Sequence, residues 1–429
     1  MRLHSIARPS DLVQATSARF RRQLEISLSC YADLCHLRID KAFHDTLARA
    51  SADAIDTPCM RVWAHTIARV ANSQAQQPVP HSSMLGYLHA DAPSATRLIE
   101  LLGWEGIAAT CCLNRVAAFD LPSAPPDSLA IGDIGSFKVA PRWPTSGNWS
   151  LAVTSEVARL VGPQFAASSE HSDPHWRANI RLGGAGINAC IPLSNSALMN
   201  RDLQEYPIVR SRAYAAIWAS AVVRAADVIN HYSKFAAACV DSFVRCVIPL
   251  VGSDEVIGSA SREDALGMIY LPAVTRLDQL TECLLHETMH QYLYRIEECG
   301  DLFSSDTDSR DAYYSPWRTD ARPLRMTLHG AFVFAAVAHL YLWNEAHSAL
   351  ELDAGECARR AYYRAKQVRL ALDVVRRHAK LTKFGMAVIE AVNEDSLAIM
   401  EKVRPATKDR VSADELIGAH FGHHIAYAH

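Results

Sequence analysis

The run His286-Glu287-Thr288-Met289-His290 carries residue types that can hold a metal ion and move a proton. It lies inside a stretch, Leu277 to Glu298, whose spacing of apolar residues predicts a helix. On a helix, residues i and i+4 share a face, so both imidazoles can reach one ion while Glu287 points to the side. Thr275 with Asp278 reads as a capping box at the start of that helix. Leu277, Leu280, Leu284 and Tyr294 give it an apolar covering. Two buried structural histidines are the plainer alternative, and the helical context favours a metal site.

A metal centre that performs chemistry needs a third protein ligand and open positions beside it. Glu297 falls on the same helix face, but its rise along the axis puts it about 10 Å beyond His290, too far to reach the same ion. The continuation H-E-x-x-H-x-x-G-x-x-H is not met, because Leu293 and Ile296 stand at those positions. A downstream Glu-x-x-x-Asp is met only by Glu297 with Asp301, which begins on the ligand helix itself. His329, in Leu328-His329-Gly330-Ala331-Phe332, is the next candidate. It sits early in an almost wholly apolar helix, and a buried imidazole needs a partner. A metal would supply one, and so would a backbone carbonyl. His339 and His347 fall later on that helix and are weaker candidates; His420, His423, His424 and His429 read as a solvated tail.

Directly before His329 stands Tyr313-Tyr314-Ser315-Pro316-Trp317-Arg318-Thr319-Asp320-Ala321-Arg322-Pro323-Leu324. Asp320 is expected to cap the helix, with Pro323 in its first turn. Arg318 and Arg322 near a helix N-terminus make a candidate anion site, since a guanidinium fork pairs with a carboxylate through two hydrogen bonds. The alternative is that both arginines pair with Asp320 or Glu287. Taken in order, the H-E-x-x-H run, the Tyr-x-Pro-Trp-Arg-x-Asp-x-Arg-Pro-Leu block and the Leu-His-Gly-x-x-Phe helix resemble the 2-oxoglutarate-dependent H-E-x-x-H peptide β-hydroxylases associated with ribosomally made, modified peptides. The resemblance runs from Gly267 to Leu342 and says little about residues 1–200.

What the resemblance implies is an Fe(II) enzyme that uses 2-oxoglutarate and O2 to hydroxylate an unactivated β-carbon in a peptide or amino-acid-derived substrate. By the same resemblance His286, His290 and His329 would hold iron. Arg318, with Arg322 as second choice, would hold the 2-oxoglutarate carboxylate. Glu287 would orient a neighbouring group or a bound water. Three neutral histidines suit iron and zinc alike. The competing activity is therefore a zinc metallopeptidase with Glu287 as general base; a non-catalytic binding protein is the third possibility.

The elements that must position these residues read as a mostly α protein with a small β-sheet, an α+β fold with the metal site between the H-E-x-x-H helix and the apolar helix after it. An N-terminal region, 1–205, is expected to contribute substrate recognition, and a helical region, 206–429, the catalytic site. Helices are predicted over Asp11–Leu37, Asp40–Ala54, Pro58–Ala71, Ser94–Val116, Ser211–Val244, Ala321–Ser348, Ala354–Ala379 and Thr382–Val403. Strands are predicted at Trp149–Val153, Ile187–Ile191, Cys246–Val251 and Met268–Leu271, and a proline-rich loop over Phe119–Gly147. A net charge of −3 offers no electrostatic case for a nucleic-acid or membrane-surface partner. No run is expected to span a membrane, and the first residues lack a signal-peptide core. The eleven cysteines form no C-x-x-C pair, which suggests reduced thiols in the cytoplasm, and Cys111-Cys112 reads as helix packing. Nothing indicates an oligomeric state.

Overall fold

A computed structural model describes residues 6–35, 56–74, 211–251, 258–307, 312–318, 320–403 and 405–427, together with most of 117–192. The predicted helices over Asp40–Ala54 and Ser94–Val116, and the Cys111-Cys112 pair, lie outside the described residues. The described chain is mostly helical with small sheets, as an α+β reading expects. It begins with α1 (Pro9–Cys35) and α2 (Pro58–Gln74). Nine strands follow: β1 (Ala117–Ser123), β2 (Ser128–Ile131), β3 (Gly135–Lys138), β4 (Ser146–Val153), β5 (Ala158–Gly162), β6 (Phe165–Ser168), β7 (Trp176–Ala178), β8 (Ile180–Gly184) and β9 (Ile187–Ile191). Next come α3 (Arg212–Tyr232), α4 (Lys234–Phe243), β10 (Cys246–Leu250), β11 (Ala260–Ser261) and β12 (Met268–Pro272). Five helices complete the chain: α5 (Leu277–Cys299), α6 (Leu324–His347), α7 (Ala354–His378), α8 (Lys383–Lys402) and α9 (Thr407–Tyr427).

The strands form three sheets, in the orders β1-β4-β5-β6, β2-β3-β7 and β11-β12-β10-β9-β8. The five-stranded sheet supports the site. Its middle strands β10 and β12 run parallel, Cys246 opposite Met268, and every residue of both is buried. That is why they read as unbroken apolar runs rather than alternating ones. Strand β9 pairs with β10, and the same hydrophobic core takes in Leu12, Leu182, Ile191 and residues of the α3 to α8 helices.

Several expectations are corrected. The loop foreseen over 119–147 contains β2, β3 and most of β1. Pro122 fits there because β1 is an edge strand whose register shifts between Leu121 and Ser123; an edge bulge tolerates a residue with no N–H to donate. The single helix expected over Ser211–Val244 is two. Ser233 adopts extended φ/ψ of −156° and 119°, ending α3, and its hydroxyl accepts from the Ala236 N–H to start α4. A serine offering the backbone that alternative bond breaks a helix that alanine-rich composition would continue. The Thr275 capping box does not form: α5 starts at Arg276 without a side-chain cap, and Asp278 pairs with Arg276 instead. The expected tail of histidines is a helix, α9, in which His420 Nδ1 lies 3.3 Å from the Tyr314 hydroxyl; His429 is outside the described residues. Finally, α6 is long and apolar enough by composition to cross a membrane, contrary to expectation, but 67% of its apolar window is buried inside the protein.

Helix α5 is the hub, packed against α1, α3, α4, α6 and β12. Its far end is tied to the N-terminal helices by buried charge. The Asp56 carboxylate accepts hydrogen bonds from Arg61, Arg295 and Ser17, and Arg61 also reaches Glu298. Burial alone would raise the Asp56 pKa, but the charges of Arg295 and Arg61 outweigh it and hold the carboxyl far below its usual range. Replacing Asp56 with Asn leaves two buried guanidiniums under-compensated and is expected to cost about 3–5 kcal/mol of stability. Because the folded pKa is depressed, this stabilisation is complete above the unfolded value of about 4 and fades as pH falls below it. Urea denaturation of wild type and Asp56→Asn should differ widely at neutral pH and converge on acidification; equal stability at neutral pH would show the cluster to be neutral for folding.

Candidate functional site

Helices α5 and α6 pack together and bring His286, His290 and His329 into one neighbourhood. The rings of His286 and His290 have centroids 4.8 Å apart, and those of His290 and His329 lie 5.5 Å apart and nearly parallel, at 20°. The Nδ1 atoms of His290 and His329 are separated by 3.3 Å. A cavity of about 270 Å³ opens beside them. Its lining includes the three histidines, Glu287, Ser259 and Ser261 on one part, and Ser315, Trp317, Arg318, Arg322 and Phe334 on another. Residues expected from sequence to act together therefore share one cavity. Among the described residues, no group of three or more His, Cys, Asp or Glu side chains is arranged to hold a metal ion.

The segment carrying the arginines is shaped by backbone pairing. Tyr313 and Arg322 exchange two hydrogen bonds, of 2.7 and 2.8 Å, closing the intervening residues into a loop. Gln367 of α7 donates to the Pro316 carbonyl at 2.6 Å and anchors the loop from behind. Asp320 does not cap α6, which begins at Pro323 without a side-chain cap. It pairs instead with Arg318 at 3.1 Å and Arg322 at 2.8 Å. The two arginines thus bracket one carboxylate of the chain itself, and Glu287 is not their partner.

Burial sets the protonation of the site. It pushes His286 down to about 3, with the nearby Arg364 charge adding to the effect, and pushes His290 well below the ordinary imidazole value, with His286 and His329 contributing. Both rings are neutral near pH 7, as a metal ligand must be. Glu287 is almost fully buried, and desolvation lifts it to about 7 against the stabilising hydrogen bond from the Ser259 hydroxyl. Among the described residues neither its Oε2 nor the Trp317 indole N–H makes a well-formed hydrogen bond, although the Ser261 hydroxyl is close enough to help hold the Glu287 pKa down.

Sequence reasoning missed one participant. Glu297 does not approach His290, but its Oε2 lies 3.1 Å from Nε2 of His329. Arg325 grips the same carboxylate through Nε at 2.9 Å and Nη2 at 2.6 Å. Burial opposes ionisation of Glu297, yet His329 and Arg325 together hold it well below its usual pKa. The signal was present as the shared helix face; what the linear pattern lacked was the position of His329 over the next two turns.

No protein-family model matches the chain, and no curated protein matches it.

The Leu328-His329-Gly330 sequence has a packing reason. A Cβ at position 330 would stand 2.7 Å from the Trp317 ring, which stacks on Phe334 at 5.1 Å and 14°. Glycine lets the tryptophan lie flat on α6 beside the cavity. Gly330→Ala is expected to displace Trp317 and cost about 1–3 kcal/mol by overpacking. The check is tryptophan emission, using Trp317→Phe to isolate that residue's share; unchanged emission and thermal stability would rule out the contact.

Proposed function

We propose that the protein is an Fe(II)- and 2-oxoglutarate-dependent oxygenase that hydroxylates a β-carbon in a peptide or amino-acid-derived substrate. One observation carries the reading: a single cavity is lined both by His286, His290 and His329 and by Arg318 and Arg322. Two of the three histidines, His290 and His329, already have the spacing of two ligands on one ion, and His286 would have to turn to join them. Two nitrogens bound to one ion in tetrahedral geometry at 2.0–2.1 Å would lie about 3.3 Å apart, which is the separation of the His290 and His329 Nδ1 atoms. A Glu287 oxygen and the Trp317 N–H, both buried on cavity-lining residues and neither in a well-formed hydrogen bond among the described residues, offer an acceptor and a donor to something that enters.

In this reading His286, His290 and His329 would hold the iron. Bound there, iron would couple oxidative decarboxylation of the oxoacid to transfer of one oxygen atom of O2 to the substrate. Arg318 and Arg322 would exchange their shared Asp320 for the far carboxylate of 2-oxoglutarate, a substitution of one anion for another that costs little because Asp320 is exposed to water. Trp317 and Phe334 form an apolar stretch of the lining, which keeps water from the reacting carbon.

A zinc metallopeptidase is favoured by one feature, the desolvated Glu287. A carboxyl lifted towards neutrality suits a general base that takes a proton from an attacking water and returns it to the leaving amine. Protein incubated anaerobically with Fe(II) and 2-oxoglutarate, then exposed to O2, separates the two. Succinate together with a peptide heavier by one oxygen atom supports the oxygenase; a cleaved peptide without succinate supports the peptidase. Arg318→Ala is expected to weaken 2-oxoglutarate binding roughly tenfold to a hundredfold, the worth of a charged hydrogen bond. Arg322→Ala should act in the same direction, and neither should change metal content. Equal loss of metal in the arginine variants would make them structural.

A further inference from the structure

We infer that Glu297 is a positioning residue of this site: by accepting the Nε2 proton of His329, it presents the Nδ1 lone pair of that ring toward His290. The inference rests on the metal-centre reading for its purpose, although the geometry is independent of it. His329 is 1% exposed, so its ring nitrogens have no solvent to satisfy them. Its Nε2 lies 3.1 Å from a Glu297 oxygen, and an ionised carboxylate only accepts, so that nitrogen carries the proton. A metal ligand must be a neutral imidazole; with the proton on Nε2, Nδ1 is then the donor atom, and it lies 3.3 Å from the Nδ1 of His290, within hydrogen-bonding distance. The ring of His329 is thus held from two sides by one helix.

Helical arithmetic explains how α5 does this. Seven residues separate His290 from Glu297, about 20° short of two full turns, so both side chains project from the same face. His290 meets one edge of the His329 ring and Glu297 meets the other. The carboxylate is itself immobilised. Arg325 takes both of its oxygens and also pairs with Glu263 at 2.6 Å, forming a chain Glu263–Arg325–Glu297–His329. A carboxylate behind a metal-binding histidine fixes the tautomer and ring orientation and makes the ring a stronger donor, and losing such a partner weakens metal binding about 10–100-fold.

Two measurements test this. Purified full-length wild type, Glu297→Gln and Glu297→Ala are titrated with Co(II) and followed by its visible absorption. The alanine variant should bind roughly 10–100-fold more weakly, with the glutamine variant between it and wild type. Equal affinity in all three overturns the role of Glu297 while leaving the metal centre intact. Failure of wild type itself to bind Co(II) overturns the metal-centre reading instead. The second measurement needs no variant of Glu297 and no metal: ¹⁵N imidazole spectra of the metal-free protein, with His329 assigned by its loss in His329→Asn. A neutral ring protonated at Nε2 supports the inference, and protonation at Nδ1, alone or with Nε2, overturns it.

Discussion

Helix α5 packs against α1, α3, α4, α6 and β12, so most of it meets protein and each buried polar residue on it must find its partner inside. Those partners turn the helix into the connector of the molecule. Thr281 and Thr288 return their hydroxyls to the Leu277 and Leu284 carbonyls. Gln291 accepts from the Gly267 N–H and donates to the Met268 carbonyl, fixing the start of β12. Arg295 and Glu298 reach the Asp56–Arg61 pair and so hold α1 and α2. Asp278 pairs with Arg276, Glu282 with Tyr341 and Arg364, and the Tyr292 hydroxyl with Ala7, whereas Glu287, His286, His290 and Glu297 face the cavity or the ring of His329. The functional stripe is the part of the helix whose polar groups the fold leaves for a ligand or for each other.

Much of this was readable from residue order because the elements around the site are long and strongly patterned. Helices α5 to α8 have apolar positions at helical spacing over twenty or more residues. The β10 and β12 runs are apolar throughout because both faces are covered. His329 could be placed beside the H-E-x-x-H helix from its position early in an apolar helix. What was not readable depended on single side chains choosing between partners. Ser233 could continue a helix or cap the next one, and it caps. Asp320 and Asp278 could cap helices or pair with nearby arginines, and both pair. Local energies of about 1 kcal/mol separate such choices, and tertiary contacts decide them.

Glu297 shows a different limit. Measuring its rise along the axis correctly excludes it from any ion held by His286 and His290, because that distance depends on one helix alone. Its bond to His329 depends on how α6 crosses α5, and no pattern within either helix specifies a crossing. The glycine at 330 is legible only afterwards for the same reason. Its small size means nothing until Trp317 is seen lying against it.

The pairings also divide the cavity by charge. On one side the lining holds His286 and His290, which burial keeps neutral, and Glu287, while Glu297 and Glu263 share Arg325 behind the His329 ring, outside the lining. On the loop side, Arg318 and Arg322 share one carboxylate, Asp320. Neutral imidazoles suit a cation and guanidiniums suit an anion, so the two parts of the lining would favour ligands of opposite charge. A peptidase would need the inner half alone. In hydrolysis the arginine pair could only hold a substrate carboxylate, whereas an anionic co-substrate requires such a pair, and its place on the lining of the same cavity is the physical reason for preferring that co-substrate over water as the second reactant.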